Sequence, residues 1–135
     1  MKRLIVTCLM ALATVMPAHA WGKTGHRVVG AVAQTYLSQA ADTGVKDILG
    51  PEGIAEAADW PDHMRSNPDP FWRSEANPWH YVTIPVGQTY AQVTPPPEGD
   101  AITALAKYRA IAIDPTAPRE KRQLALRFII HLVGD

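Results

Sequence analysis

Ala18-His19-Ala20 stands just before Trp21 and fits the small-x-small pattern at which signal peptides are cut. Cleavage there exposes the α-amine of Trp21, which has an unperturbed pKa of roughly 7.7–8.0 and so costs only about 1 kcal/mol to deprotonate at neutral pH. The carbonyl oxygen of the same residue lies in chelating position, and the imidazole of His26 follows five residues later. Together these groups form a candidate metal site made by proteolysis, with zinc as the ion it suits.

Further donors follow along the chain. His131 and Asp135 are four residues apart, a spacing that on a helix rises about 6 Å and turns about 40° past one revolution, so both side chains can approach one ion. Taken alone, a histidine in Phe-Ile-Ile-His-Leu-Val also reads as a hydrogen-bonded core residue. His80, in Asn-Pro-Trp-His-Tyr-Val, carries the same two readings. Asp59 and Asp62 flank Trp60-Pro61, and spacing does not choose which is a ligand and which a surface or capping residue. His63 adjoins Asp62, but adjacent helix positions point apart, so a structural role is preferred for it. Arg65, one turn after Asp62, reads as a phosphate contact or as a solvated charge. Phe71, Trp72, Trp79 and Tyr81 could stack bases, although each taken separately reads better as packing.

The elements that must position these groups are helical. Thr24 is expected to cap a helix over about Gly25 to Leu37, with Val28, Val29, Val32, Tyr36 and Leu37 at helical apolar spacing. A second helix starts at Ser38 and stops at Gly50-Pro51. A third covers Ile54 to Met64, where Pro61 is expected to distort or interrupt it. Ser66 to Gly99 holds Pro68, Pro70, Pro78, Pro85 and the run Pro95-Pro96-Pro97, and reads as a long irregular excursion. A loop of that kind is usually functional or flexible. Asp100 caps a helix through about Ile113. Pro118 suits the first turn of a last helix, whose apolar bulk is Leu124, Leu126, Phe128, Ile129, Ile130 and Leu132.

Composition narrows the class. Met1 to Ala20 has Lys2 and Arg3 followed by an almost wholly apolar stretch to Val15, the pattern of a secretory leader. Removing it takes away the sole cysteine, Cys8, and leaves 11 basic side chains against 13 acidic ones, a net charge of −2. The exported domain, periplasmic or secreted, then has no disulfide, and bound metal is one alternative staple. No later segment is long and apolar enough to prefer a membrane. No basic stripe invites nonspecific duplex binding by counterion release. No obligate protein partner is evident.

The ordered set of Trp21-Gly-x-x-Gly-His26, Trp60-x-Asp62, Trp79-His80-Tyr81 and His131-x-x-x-Asp135 resembles the zinc-dependent, single-strand-specific nucleases of the S1/P1 family. That family is related in fold to bacterial zinc phospholipases C. The resemblance runs from Trp21 to Asp135. It implies an all-α, multi-helix fold and phosphodiester hydrolysis of single-stranded DNA or RNA to 5′-phosphates. It implies that Asp62, His80, His131 and Asp135 surround one zinc, and that Trp21 (through amine and carbonyl oxygen), His26 and Asp135 surround its neighbour. Asp62 is then the ligand rather than Asp59, with a catalytic role, and Asp135 bridges. Arg65 falls on the catalytic position that contacts phosphate, and Tyr81 on the aromatic position that stacks a base. Thr83 stands where the fungal enzymes carry a carboxylate near the site, which removes one expected support of Arg65. Two zincs roughly 3.5–4 Å apart polarise water and clamp phosphoryl oxygens in such centres.

The family also has a third zinc, held by two histidines and an aspartate downstream of His-x-x-x-Asp. This chain stops before them, so about two of three sites have ligands. The expectation is therefore an incomplete chain, its last helix showing Phe128, Ile129 and Leu132 to solvent, with loose folding. Its activity is expected to be weak, because electrostatic stabilisation of a leaving group is worth about 10²–10³-fold in rate. The competing readings are a zinc phospholipase C and a non-catalytic metal-binding remnant.

Overall fold

The computed structural model describes residues 22–135; residues 1–20, expected to be a leader, and Trp21 lie outside the described residues. Among the described residues, five α-helices carry the fold: α1 (Lys23–Thr35), α2 (Gln39–Leu49), α3 (Ile54–Met64), α4 (Ala101–Ile113) and α5 (Arg119–Gly134). Among the described residues there is no strand, so the architecture is all-α. No helix among them is long and apolar enough to cross a membrane.

Local chemistry explains several boundaries. The Ser38 hydroxyl accepts from the Ala41 N–H at 3.2 Å and opens α2, which ends where Gly50 adopts φ 73°. Asp100 and Thr103 form a reciprocal cap on α4: the Asp100 carboxylate accepts from the Thr103 N–H at 2.9 Å, and the Thr103 hydroxyl accepts from the Asp100 N–H at 2.7 Å. Tyr90 donates a further hydrogen bond to the same carboxylate.

α1 departs from its sequence reading. It begins at Lys23 behind an extended Gly22 rather than behind Thr24, and ends at Thr35 rather than near Leu37. Only part of its apolar stripe turns inward: Val29 and Leu37 are partly buried, but Val28 and Val32 are half exposed and Tyr36 nearly free. The buried residues of α1 are His26 and Gly30. A methyl group on Gly30 would lie 2.9 Å from the Ile54 carbonyl and 3.0 Å from the Ala58 Cβ. A side chain with no Cβ lets two helices pack backbone to backbone, and that contact wins over apolar spacing.

Pro61 neither interrupts nor ends α3, which runs unbroken from Ile54 to Met64. The ring removes one N–H from the helix ladder, but it is fully buried, and that burial offsets part of the lost hydrogen bond.

The segment read as one irregular excursion is ordered in its first part by a single π-helical turn (Phe71–Glu75) and a 3₁₀ turn (Asn77–His80). A second 3₁₀ turn covers Tyr90–Gln92. The two turns drive Trp72 and Trp79 into the core, where Phe128 of α5 lies stacked on Tyr108 and Trp72 and edge-on to Trp79. Ala104, Ala112 and Ala125 let α4 and α5 close on this aromatic layer. Phe128 is thus completely buried, and Ile129 and Leu132 are partly covered, against the expectation that this face is exposed. Pro118 sits at the cap position of α5, one residue outside its first turn. The result sets α3 between α1 and α5, with the 3₁₀ turn at the end of the layer.

Candidate metal centre

Four elements deliver their polar side chains to one place. His26 comes from the first turns of α1, Asp62 from the last turn of α3, His80 from the end of the 3₁₀ turn, and His131 with Asp135 from the end of α5. The three imidazoles are buried, and their rings stand close: His26 to His131 at 4.5 Å and His80 to His131 at 4.8 Å between centroids. The two carboxylates form the open side, with side chains 32% and 20% exposed for Asp62 and Asp135.

Each carboxylate divides its oxygens in the same way. Asp62 turns Oδ2 toward His26 Nε2 at 3.4 Å and Oδ1 toward His80 Nδ1 at 3.6 Å and His131 Nε2 at 3.9 Å. Asp135 turns Oδ1 toward His26 Nε2 at 3.8 Å and Oδ2 toward His131 Nε2 at 3.7 Å and His80 Nδ1 at 3.9 Å. Both acids therefore reach from His26 to the His80–His131 pair. Donor atoms around a tetrahedral ion with bonds of about 2.0–2.1 Å stand about 3.3–3.4 Å apart. The carboxylate–imidazole separations here start at that value and run up to 3.9 Å, and two overlapping groups, His26–Asp62–His131 and His80–His131–Asp135, are each compact enough to hold an ion.

Tautomers support the same use. His131 Nδ1 lies 2.7 Å from the Ala58 carbonyl oxygen, which can only accept, so this nitrogen carries the proton. A neutral His131 then presents a bare lone pair at Nε2, the atom facing His80, Asp62 and Asp135. Burial lowers the His131 pKa, although the Ala58 carbonyl and Asp62 act in the opposite direction. Burial, reinforced by His131, brings His80 down to about 4. Neutral imidazole is the form that binds a metal.

Asp59 sits elsewhere, buried on the outer side of the α1–α3 contact, with Arg27 at 3.4 Å, His63 at 3.5 Å and Lys23 at 3.9 Å. His63 points to this acid and away from the imidazole cluster. Spacing left Asp59 and Asp62 equivalent; the helix turn separates them. Phe71, Trp72 and Trp79 are packing residues, whereas Tyr81 is half exposed. Tyr81 forms one wall of a cleft of about 450 Å³ shared with Pro78, Thr83, Val93, Thr94 and Pro96.

Arg65 caps the end of α3 and approaches Asp62 Oδ1 at 3.7 Å. Its Nη2 donates to the Tyr81 hydroxyl at 2.8 Å and to Asn77 Oδ1 at 3.3 Å. Asn77 did not stand out in the sequence; its place just before a proline at the start of a short turn was the only local signal.

A family model described as S1/P1 Nuclease matches residues 21–135. Nuclease P1 of Penicillium citrinum is 29% identical over 130 residues, which cover 85% of this chain and 44% of that protein. Nuclease S1 of Aspergillus oryzae is 26% identical over 146 aligned residues, covering 100% of this chain and 48% of its own. Endonuclease 2 of Arabidopsis thaliana is 32% identical over 75 residues, covering 53% of this chain and 24% of its own. The chain spans less than half the length of these relatives.

Proposed function

The chain belongs to the S1/P1 nuclease family, and on that premise we propose that residues 21–135 carry a zinc centre for hydrolysing phosphodiesters of single-stranded nucleic acid to 5′-phosphates. The observation that carries the reading is the pair of carboxylates, Asp62 and Asp135, each spanning from His26 to the His80–His131 pair. Asp62, His80, His131 and Asp135 would hold one zinc; His26, Asp135 and the amine and carbonyl of Trp21 would hold the other. Residues 1–20 would be the leader of an exported protein, and its removal would create the Trp21 amine.

Zinc bound there supplies Lewis-acid activation of water and of the phosphoryl oxygens. The chain's own groups do the rest. Asp62 and Asp135 would supply hard oxygen donors. The Ala58 carbonyl holds His131 in the tautomer that offers Nε2. Arg65, at the exposed edge of the cluster, supplies positive charge to a phosphate. The ring of Tyr81 and the neighbouring cleft take an unpaired base, and a base held in a duplex stack could not reach that ring.

The test is end chemistry on defined substrates. The zinc-loaded protein is incubated with a single strand, its duplex and phosphatidylcholine vesicles. Chelator-sensitive cuts in the single strand that leave 5′-phosphates are expected. Headgroup release from the vesicles without strand cleavage would assign a phospholipase instead, and zinc binding with neither reaction would leave a metal-binding protein.

A further inference from the structure

The guanidinium of Arg65 has an unusual set of partners for an exposed arginine. Its two hydrogen bonds go to neutral oxygens, the Tyr81 hydroxyl at 2.8 Å and Asn77 Oδ1 at 3.3 Å. The nearest carboxylate, Asp62 at 3.7 Å, also faces three imidazoles. We propose that Tyr81, through its hydroxyl, and Asn77 are positioning residues that hold Arg65 extended for a substrate phosphate; the proposal rests on the phosphodiesterase reading above.

Neutral partners matter for the chemistry. An arginine steered by its own carboxylate has its charge largely neutralised before an anion arrives. Held by a hydroxyl and an amide oxygen, it is oriented and keeps its charge, and the rotamer freedom lost on binding phosphate is already spent. Arg65 Nε makes no hydrogen bond within the described residues, and Nη1, 3.7 Å from Asp62 Oδ1, is not hydrogen-bonded either, so N–H groups remain for a phosphate oxygen.

The two anchors are not independent of the metal centre. Asn77 opens the 3₁₀ turn that ends on His80, and Tyr81 follows His80 directly. Trp79, between them, is buried and donates to the Glu98 carbonyl at 2.7 Å, while the Tyr81 carbonyl accepts from the Ala101 N–H at 3.1 Å. A rigid five-residue segment thus carries one imidazole and both supports of the arginine, so phosphate-binding charge and metal-binding nitrogen are set in register. Thr83, two residues on, brings no carboxylate to the task.

The zinc-loaded chain is titrated calorimetrically with ribose 5-phosphate and thymidine 5′-phosphate. Tyr81→Phe keeps the ring and removes the hydroxyl; it should weaken both ligands by the same factor, roughly 10-fold as for a hydrogen bond to a charged group. Asn77→Ala should act in the same direction with a smaller factor, in keeping with its longer bond. In an Arg65→Ala background the Tyr81→Phe loss should vanish, since the hydroxyl then has no charge to steer. Tyr81 is half exposed and Asn77 exposed, so unchanged melting temperatures are expected. A loss confined to thymidine 5′-phosphate, a loss that persists without Arg65, or no loss at all overturns the positioning role while leaving the phosphodiesterase reading intact. A wild-type chain that binds neither ligand overturns that reading and the proposal with it.

Discussion

His80 Nδ1 and His131 Nε2 lie 2.9 Å apart inside the protein, on residues separated by 51 positions in sequence. Two nitrogens at that distance share one proton or one cation between them; they cannot both be protonated. The fold enforces this by burial, which lowers both pKa values, His80 to about 4.

The pH dependence has a definite sign. A histidine whose folded pKa is depressed leaves the unfolded chain binding more protons between the two values, so stability falls as the pH falls. For His80 that window runs from about 6.5, its unfolded value, down to about 4. Denaturant midpoints of the metal-free protein should therefore drop between pH 6.5 and 4, and zinc retained on dialysis should fall over the acid range as its ligands protonate. Midpoints that rise on acidification would contradict the neutral assignment.

Asp62→Asn and Asp59→Asn should separate metal binding from stability. The first removes a charge facing all three imidazoles and should strongly weaken zinc binding. The second should leave zinc content near that of the unaltered protein, since Asp59 lies outside the cluster. Its burial beside Arg27, Lys23 and His63 means it is not a silent surface change, and a stability loss of about 1–3 kcal/mol is expected. Metal analysis and thermal melts on the two proteins check both halves.

What the sequence made legible was local chemistry. Ser38, Gly50 and the Asp100–Thr103 cap mark helix ends through hydrogen bonds within a few residues, and the boundaries there fall close to expectation. His131 and Asp135 share a helix face by spacing alone. Where the helices pack was not legible from periodicity. Of the apolar stripe Val28, Val29, Val32, Tyr36 and Leu37, the members Val28, Val32 and Tyr36 are on the outside, while the close contact is made by Gly30, which has no side chain to signal it. From sequence, Pro61 is expected to distort or interrupt α3 because its cost is local and its compensation, burial against other residues, is tertiary. The Arg65–Tyr81–Asn77 contacts were invisible for the same reason: they span 12 and 16 residues and depend on how the 3₁₀ turn is laid against α3.

Gly30→Ala should test whether the α1–α3 contact sets the metal centre. The added methyl meets backbone atoms at 2.9 Å and 3.1 Å, which cannot swing aside, so the helices must separate. Overpacking of this kind costs about 1–3 kcal/mol. His26 lies one turn before Gly30 and faces Asp62, so the shift should lower zinc affinity together with the melting temperature. Gly44→Ala, on the open face of α2 where a methyl meets nothing, is the control and should raise stability slightly. Equal behaviour of the two variants would remove the glycine contact from the account.

The Trp21 amine can be tested without altering any side chain. His26 Nδ1 is buried without a hydrogen-bond partner among the described residues, and Nε2 is the atom that faces the two carboxylates. One imidazole and the shared Asp135 leave an ion on the His26 side short of donors, which the neutral amine and carbonyl of a processed Trp21 would complete. Any residue left before Trp21 turns that amine into an amide, a poor donor, and blocks the chelate. The protein beginning at Trp21 should bind two zinc ions per chain, and a variant retaining Ala20 should bind one tightly while losing the second. The same result is expected from selective acetylation of the Trp21 amine, since acetylation draws the lone pair into an amide and leaves the sequence unchanged. Full zinc content in both the extended and the acetylated protein would show that the second ion does not need the N-terminus.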